Sequence, residues 1–362
     1  MNTSVSDQDL ATELQQQLRD AIARKAAVSI HGSGSHDFLL GDFAEAERLE
    51  LSRHRGVVDY QPTELTLRAR AGTPLREIEE VLAEGRQQLP TDFPRYTDDA
   101  SLGGAVAIGH SGSARPFRGA IRDHVLGVQL LGDDGEILHF GGQVMKNVAG
   151  YDVSRLLCGS RGSLGAMLEI TLKVIPRPAL SRTLAFEEDE DEAIRAMNRL
   201  AGRQLPISGQ LYVDGRLLLR LEGSEAGVLQ AARELGGETL DETEAEALWR
   251  GLRDHSHPFF RDDEPLWRVI LPTTTPKLEL EADHRGLIDW GGGLRWIHAT
   301  ELGAADFEHV RNVGGYIEPF RGQRPGRPAD LMQPLQRKLH RRIKKAFDPG
   351  NIFNPKLSNF DD

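Results

Sequence analysis

Leu10, Leu14, Leu18 and Ile22 recur at every fourth residue among Glu, Gln and Arg, which predicts an amphipathic helix over 10–22. A short apolar run at 27–30 follows and enters a turn of small residues, His31-Gly32-Ser33-Gly34-Ser35-His36. Further strand-like stretches are expected at 56–60, 66–71, 125–131 and 169–174. Thr73 and Pro74 have the form of an N-cap and first helical residue, opening a helix through Val81. Pro176-Arg177-Pro178 cannot continue a strand ladder and sets the first expected domain boundary. Beyond it an acidic run, 187–192, precedes a helix over 193–200. Strands at 209–213 and 217–221 are joined by Asp214-Gly215, a favoured hairpin turn, and a helix over 226–235 ends at Gly236-Gly237. Leu331, Leu335, Leu339, Ile343 and Phe347 mark a last helix that stops at Asp348-Pro349-Gly350. The pattern is α+β, without internal repeats.

The length, 362 residues, allows two substantial domains, and 39% hydrophobic with 27% charged residues is ordinary for a globular chain. No apolar run reaches membrane-spanning length, and the polar, acidic start predicts no secretory signal. Cys158 is the single cysteine, which excludes an internal disulfide or a Cys-rich cluster site and fits a reducing cytoplasm. Acidic residues outnumber basic ones, 55 to 44, for a net charge of −11, which argues against a general nucleic-acid binder. A pyrophosphate is a different ligand, since main-chain amides hold one without many lysines.

Candidate chemistry gathers where glycine does: 14 of 38 glycines fall between Ser101 and Gly165, about twice an even share. The first loop lacks the third glycine of a Rossmann motif, because position 37 is Asp, and it lacks the lysine of a Walker loop. It is either an ordinary tight turn or a cradle for a pyrophosphate. Small-residue turns recur at 101–104, 109–113 and 118–123, and again at 159–165, none with the Gly-x-Ser-x-Gly elbow of a serine hydrolase. Arg268 beside Trp267, with the run 289–296, offers two readings: a flat wall with a fork for a carboxylate, or core tryptophan with a stacked or salt-bridged arginine. His255-Ser256-His257 is weak metal evidence, and no metal is expected. Cys158 is expected as a small buried hydrophobe. The basic residues Arg337, Lys338, Arg341, Arg342, Lys344 and Lys345 form either a solvated helix face or a docking surface for a partner.

The order and spacing of the segments 31–36, 101–104, 118–123, 125–135, 146–152, 159–165 and 347–355 resemble the vanillyl-alcohol-oxidase (PCMH-type) flavoprotein family over nearly the whole length. Within that family the resemblance is to subunits of complexes that oxidise a small 2-hydroxy acid. It implies a two-subdomain FAD-binding domain at 1–178, a smaller α+β cap domain at 179–328, and a segment, 329–362, returning to the FAD domain. By the resemblance, His31, Gly32, Ser33, Gly34, Ser35 and His36 meet the pyrophosphate together with Ser101, Leu102, Gly103 and Gly104. Ser111, Gly112, Arg118, Gly119, Ile121 and Asp123 join the cofactor set, as do Gly162, Gly165, Ile170 and Asn354. Members with covalent flavin often carry His where this chain has Ser35, so non-covalent FAD is implied. Tyr151, Arg268 and His298 are the candidate catalytic residues. The histidine-rich cap signature of related catalytic subunits is missing, which puts independent hydroxy-acid oxidation in doubt. The implied partners are a larger FAD subunit and an iron–sulfur subunit, with the chain cytoplasmic or peripheral at the inner membrane through that complex.

Overall fold

Alternating apolar positions build two antiparallel sheets, one in each of two units. The computed structural model describes residues 7–40, 46–142, 152–261, 263–322 and 333–355. Tyr151 and most of the segment 146–152 lie outside the described residues, as do Leu331 and the expected boundary at 328. The described residues of 1–110, 120–177 and 327–362 form the first compact unit, and those of 111–119 and 178–326 the second.

In the first unit, α1 (Ala11–Arg24) buries Leu14, Leu18 and Ala21, the stripe seen in the sequence, and ends on Lys25 in the left-handed conformation. These side chains pack with Val28 of β1 (Val28–His31) and Leu49 of β2 (Glu47–Glu50), which pair in parallel. The main sheet of this unit contains β3 (Val57–Gln61), β4 (Thr66–Arg70), β5 (Val125–Leu131), β6 (Ile137–Gly141) and β7 (Ala166–Lys173). Its order is β3-β4-β7-β5-β6, every pair antiparallel. Leu67, Ala69, Val128, Leu130, Ile170 and Leu172 form its core with α2 (Leu75–Glu84) and α3 (Leu102–Ile108). The carboxy-terminal helix, Pro334–Phe347, sets Ile343 and Phe347 against the same core.

The start of α2 differs from expectation. The helix begins at Leu75, Pro74 is its cap residue, and no side chain caps it. The Thr73 hydroxyl turns the other way, 2.6 Å from the Arg70 carbonyl and accepting the Gly56 amide at 2.9 Å. A buried loop amide outcompetes the helix end for it.

The second unit holds an eight-stranded antiparallel sheet of β8 (Leu180–Glu187), β9 (Ile207–Val213), β10 (Arg216–Gly223), β11 (Glu238–Thr239), β12 (Leu266–Ile270), β13 (Arg285–Asp289), β14 (Leu294–His298) and β15 (Tyr316–Arg321). The order is β11-β8-β10-β9-β13-β14-β12-β15. Asp214 and Gly215 turn the β9–β10 hairpin with φ 50 and 77°, the mirror-image turn that matches strand twist. Helices α4 (Glu190–Ala201) and α5 (Glu225–Leu235), capped by Asp189 and Ser224, cover one part of the sheet. After α6 (Glu242–Arg253), α7 (Ala304–Asn312) covers another part through Val310.

The segment Ser111–Gly119 belongs with this second unit although it lies far upstream of Pro178. Ser113 Oγ donates to Asp289 at 2.8 Å, Trp290 Nε1 donates to the Gly112 carbonyl at 2.9 Å, and Arg118 pairs with Glu222 at 2.8 Å. Among the described residues no helix is long and apolar enough to cross a membrane.

Candidate functional site

Three of the small-residue segments meet in one cleft of the first unit. Residues 31–36 leave β1, Ser101, Gly103 and Gly104 sit at the start of α3, and Arg161, Gly162 and Gly165 form the glycine turn before β7. Asn354, from the tail that follows the carboxy-terminal helix, completes the wall. Counting the space open to solvent, the cleft is about 650 Å³, within the range of small-molecule sites.

Glycine is required where main chains approach closely. A Cβ on Gly103 would stand 2.8 Å from Ala71 Cβ and 2.9 Å from its carbonyl oxygen. One on Gly162 would meet Asn354 Nδ2 at 2.7 Å, and the φ of +70° there disfavours any other residue.

The donors of the cleft are unevenly placed. Among the described residues, the amides of Gly32, Ser33, Gly34, Ser35 and His36 make no hydrogen bond to the protein. The Ser35 hydroxyl is buried and likewise without a partner in the described structure. A buried hydroxyl is rarely left so, and with a row of amides, those of Ser33 and Gly34 on exposed residues, it suits an anionic diphosphate. At α3 the amides are engaged: Leu102 with the Thr73 carbonyl, Gly103 with the Ala71 carbonyl, and Gly104 with Ser101 Oγ at 3.3 Å. Ser101, Gly103 and Gly104 therefore shape the cleft, and Leu102 is wholly buried behind it. His36 is buried edge-on to Tyr96, with ring centroids 5.2 Å apart, and burial pushes its pKa down to about 4. The ring is neutral at ordinary pH. Burial lowers His31 too.

Other residues expected at the cofactor lie elsewhere. Ile170 is fully buried in mid-sheet opposite Ala69 and Val128, and Ile121 is fully buried in the same core. The Asp123 carboxylate accepts the Ala120 amide at 2.8 Å. Ser111, Gly112, Arg118 and Gly119 belong with the second unit, for the contacts given above. Arg161 lines the cleft without having been singled out in the sequence; its place inside the glycine turn, before Gly162, was the available sign.

Neither described catalytic candidate has a group to offer. His298 is wholly buried, with Nδ1 3.1 Å from the Glu264 carbonyl and Nε2 2.7 Å from that of Phe259. Its expected catalytic part is corrected to a structural one, because both ring nitrogens face backbone oxygens. Arg268 forms an ion pair with Glu318 on the neighbouring strand. Its guanidinium lies 5.2 Å from the Trp290 ring centre and 6.0 Å from that of Trp296, the stacked and salt-bridged alternative. Glu318 takes one guanidinium nitrogen of the fork a substrate carboxylate would need.

The close histidine pair divides between two tasks. His255 stacks on Phe260 at 4.0 Å, with burial and then Arg321 and Arg268 pushing its pKa to about 3, while His257 Nδ1 accepts the Phe259 amide. No cluster of three or more metal-ligating residues occurs among the described residues. Burial pushes the Cys158 thiol up to about 12, which leaves it unreactive. Lys344, expected on a solvated face, is instead buried.

Residues 10–141 match the family model of an FAD binding domain. The chain is 42% identical over 347 residues to the glycolate oxidase subunit GlcE of Escherichia coli K12, covering 96% of this chain and 97% of that one. Glycolate oxidase subunit GlcD of Bacillus subtilis is 33% identical over 34% of this chain and 26% of its own length. Among solved structures, alkyldihydroxyacetonephosphate synthase superposes with a TM-score of 0.67 at 14% identity, over 95% of this chain and 75% of its own, a likeness of fold. With an amide-lined cleft inside the matched domain and near-complete alignment to GlcE, this chain belongs to the FAD-binding family of that glycolate oxidase subunit.

Proposed function

We propose that this chain is the FAD-carrying E-type subunit of a glycolate-oxidising complex, in which glycolate, a small 2-hydroxy acid, becomes glyoxylate and the electrons leave through flavin. The observation that carries this reading is the row of open amides at 32–36, set in a cleft of a chain 42% identical to GlcE. Bound FAD supplies a two-electron acceptor for the hydride of the hydroxyl-bearing carbon. The chain's own part begins with grip: amides 32–36 and Ser35 Oγ hold the pyrophosphate. Gly103 and Gly104 keep that wall thin, and the turn at 161–165 lies beside the adenosine end. With Ser35 where covalent members carry histidine, the cofactor is held without a bond to the protein and dissociates. A complex with other glycolate oxidase subunits follows from the relatives' names, and we place a larger FAD subunit and an iron–sulfur subunit there. Cys158 alone cannot hold such a cluster. The complex would hold this subunit at the cytoplasmic side of the inner membrane.

The internal pairing of Arg268 and the enclosure of His298 favour a second reading within the same complex, an FAD-bearing electron carrier whose neighbour removes the hydride. Purification of the chain alone tests the cofactor. A yellow protein, or one that turns yellow on adding FAD, is expected; a chain that stays colourless overturns the proposal. Glycolate turnover with a dye acceptor then separates the two readings: turnover by the isolated chain favours catalysis here, and turnover only with partner subunits favours the carrier.

A further inference from the structure

The tail at 351–354 runs along the open side of β1. Val28 donates its amide to the Ile352 carbonyl at 2.8 Å, and Asn354 donates its own to the Val28 carbonyl at 2.9 Å, in a parallel bridge between Val28 and Phe353. A continuing strand would next offer a carbonyl to Ile30. The chain instead turns at Asn354, with φ 43°, and the side-chain amide takes that place. Asn354 Oδ1 accepts the Ile30 amide at 3.0 Å, while Nδ2 donates to the Arg161 carbonyl at 2.8 Å. One carboxamide thereby ties the exit of β1 to the glycine turn, the two facing walls of the cleft. Strand alternation makes Gly32 the next amide on that side, the first of the open row.

A buried ion pair secures this tail. The Lys344 ammonium donates to the Ser163 carbonyl at 2.8 Å, to the Phe353 carbonyl at 2.9 Å and to Asp348. Asp348, its side chain wholly buried, accepts the amides of Ile352 and Phe353, each at 2.8 Å. Ser163 lies on the glycine turn, so Lys344 ties that turn to the tail that carries Asn354. A buried pair so fully hydrogen-bonded holds one geometry, because displacing either partner strands a charge.

We propose that the tail is a clasp for the dinucleotide, in which Asn354, Lys344 and Asp348 are positioning residues that set the gap between the first loop and the glycine turn. The proposal rests on the FAD reading above and adds that affinity is governed by contacts made behind the phosphate-binding amides. The test uses the full chain as wild type, Asn354→Ala and the charge-free double variant Lys344→Met/Asp348→Asn. FAD dissociation constants are measured by fluorescence titration, and amide hydrogen exchange is followed with and without FAD. Each variant is expected to raise the FAD dissociation constant about tenfold or more, a difference of about 1.4 kcal/mol. In flavin-free Asn354→Ala, exchange should quicken at 30–36 and 160–165 and stay unchanged in β5 and β7. Coupling is reciprocal, so FAD should slow exchange at Ile352 and Phe353 in the wild type, a readout that no misfolded variant can confuse. Wild type that binds FAD without slowing those amides, or Asn354→Ala with affinity within twofold of wild type, overturns the clasp alone. Wild type that takes up no FAD overturns the cofactor reading, and the clasp with it.

Discussion

Around the cleft of the first unit, five consecutive amides and the Ser35 hydroxyl have no acceptor among the described residues, whereas on the Arg268 face of the second unit the charge is met by Glu318 and the rings pack edge to face. Both regions carry residue types associated with ligand binding. They differ in what is left over. A surface that awaits a ligand keeps donors open at a cost in stability, while a cluster that satisfies itself holds a sheet together. Arginine beside tryptophan is the more conspicuous signal in a sequence, yet a run of Gly and Ser marks the place where the molecule is incomplete without its cofactor.

The strongest attempt to break this contrast removes Arg268. Arg268→Met leaves the partly buried Glu318 unpaired, and urea denaturation should show a loss of about 3 kcal/mol, largely restored in Arg268→Met/Glu318→Leu. Full stability with a raised KM for glycolate would return Arg268 to the substrate. The next test concerns the charge of the loop that carries the open amides. His36 has its pKa lowered to about 4 in the folded chain against 6.5 unfolded, so the unfolded state binds the extra proton between those values. Stability is then complete above about 6.5 and declines as pH falls toward 4, by on the order of 3 kcal/mol from this group. An NMR titration of the His36 ring that showed a midpoint above 6 would place a positive charge beside the phosphates and end the contrast. Gly103→Val drives a branched side chain into Ala71 and should weaken FAD on the order of a hundredfold, seen as protein that purifies without colour. Normal flavin retention would contradict the assignment of that wall. Smallest is Ser35→Ala, which removes one open donor; FAD binding should weaken about threefold to tenfold by titration, with no loss of fold stability.

Elements with strong periodicity were legible in the sequence. The helix from Leu10 and the β9–β10 hairpin form within a residue or two of where the pattern puts them, and the final helix, which begins at Pro334, ends at Phe347 as expected. So were the three small-residue turns, since glycine at positive φ or at a close approach leaves a compositional trace; that they gather was implied by the family resemblance. Allegiance of short segments was not legible. Ser111–Gly119 reads as one more glycine loop, and distant contacts, those of Ser113 with Asp289, Trp290 with Gly112 and Arg118 with Glu222, assign it to the second unit. Lys344 looked like its basic neighbours because nothing local marks it except Asp348 one turn later. His298 looked available because a sequence does not show which carbonyls will surround a ring.

The bond between Ile30 and Asn354 joins positions 324 residues apart, and this has a bearing on biogenesis. Closing so long a loop is entropically slow, and on the ribosome it is impossible until residue 354 has left the exit tunnel. Until then β1 presents a bare strand edge, a template for unwanted pairing, for as long as translation of both units takes. Completion of the flavin cleft therefore waits on residue 354, and until then the earliest strand is the least protected.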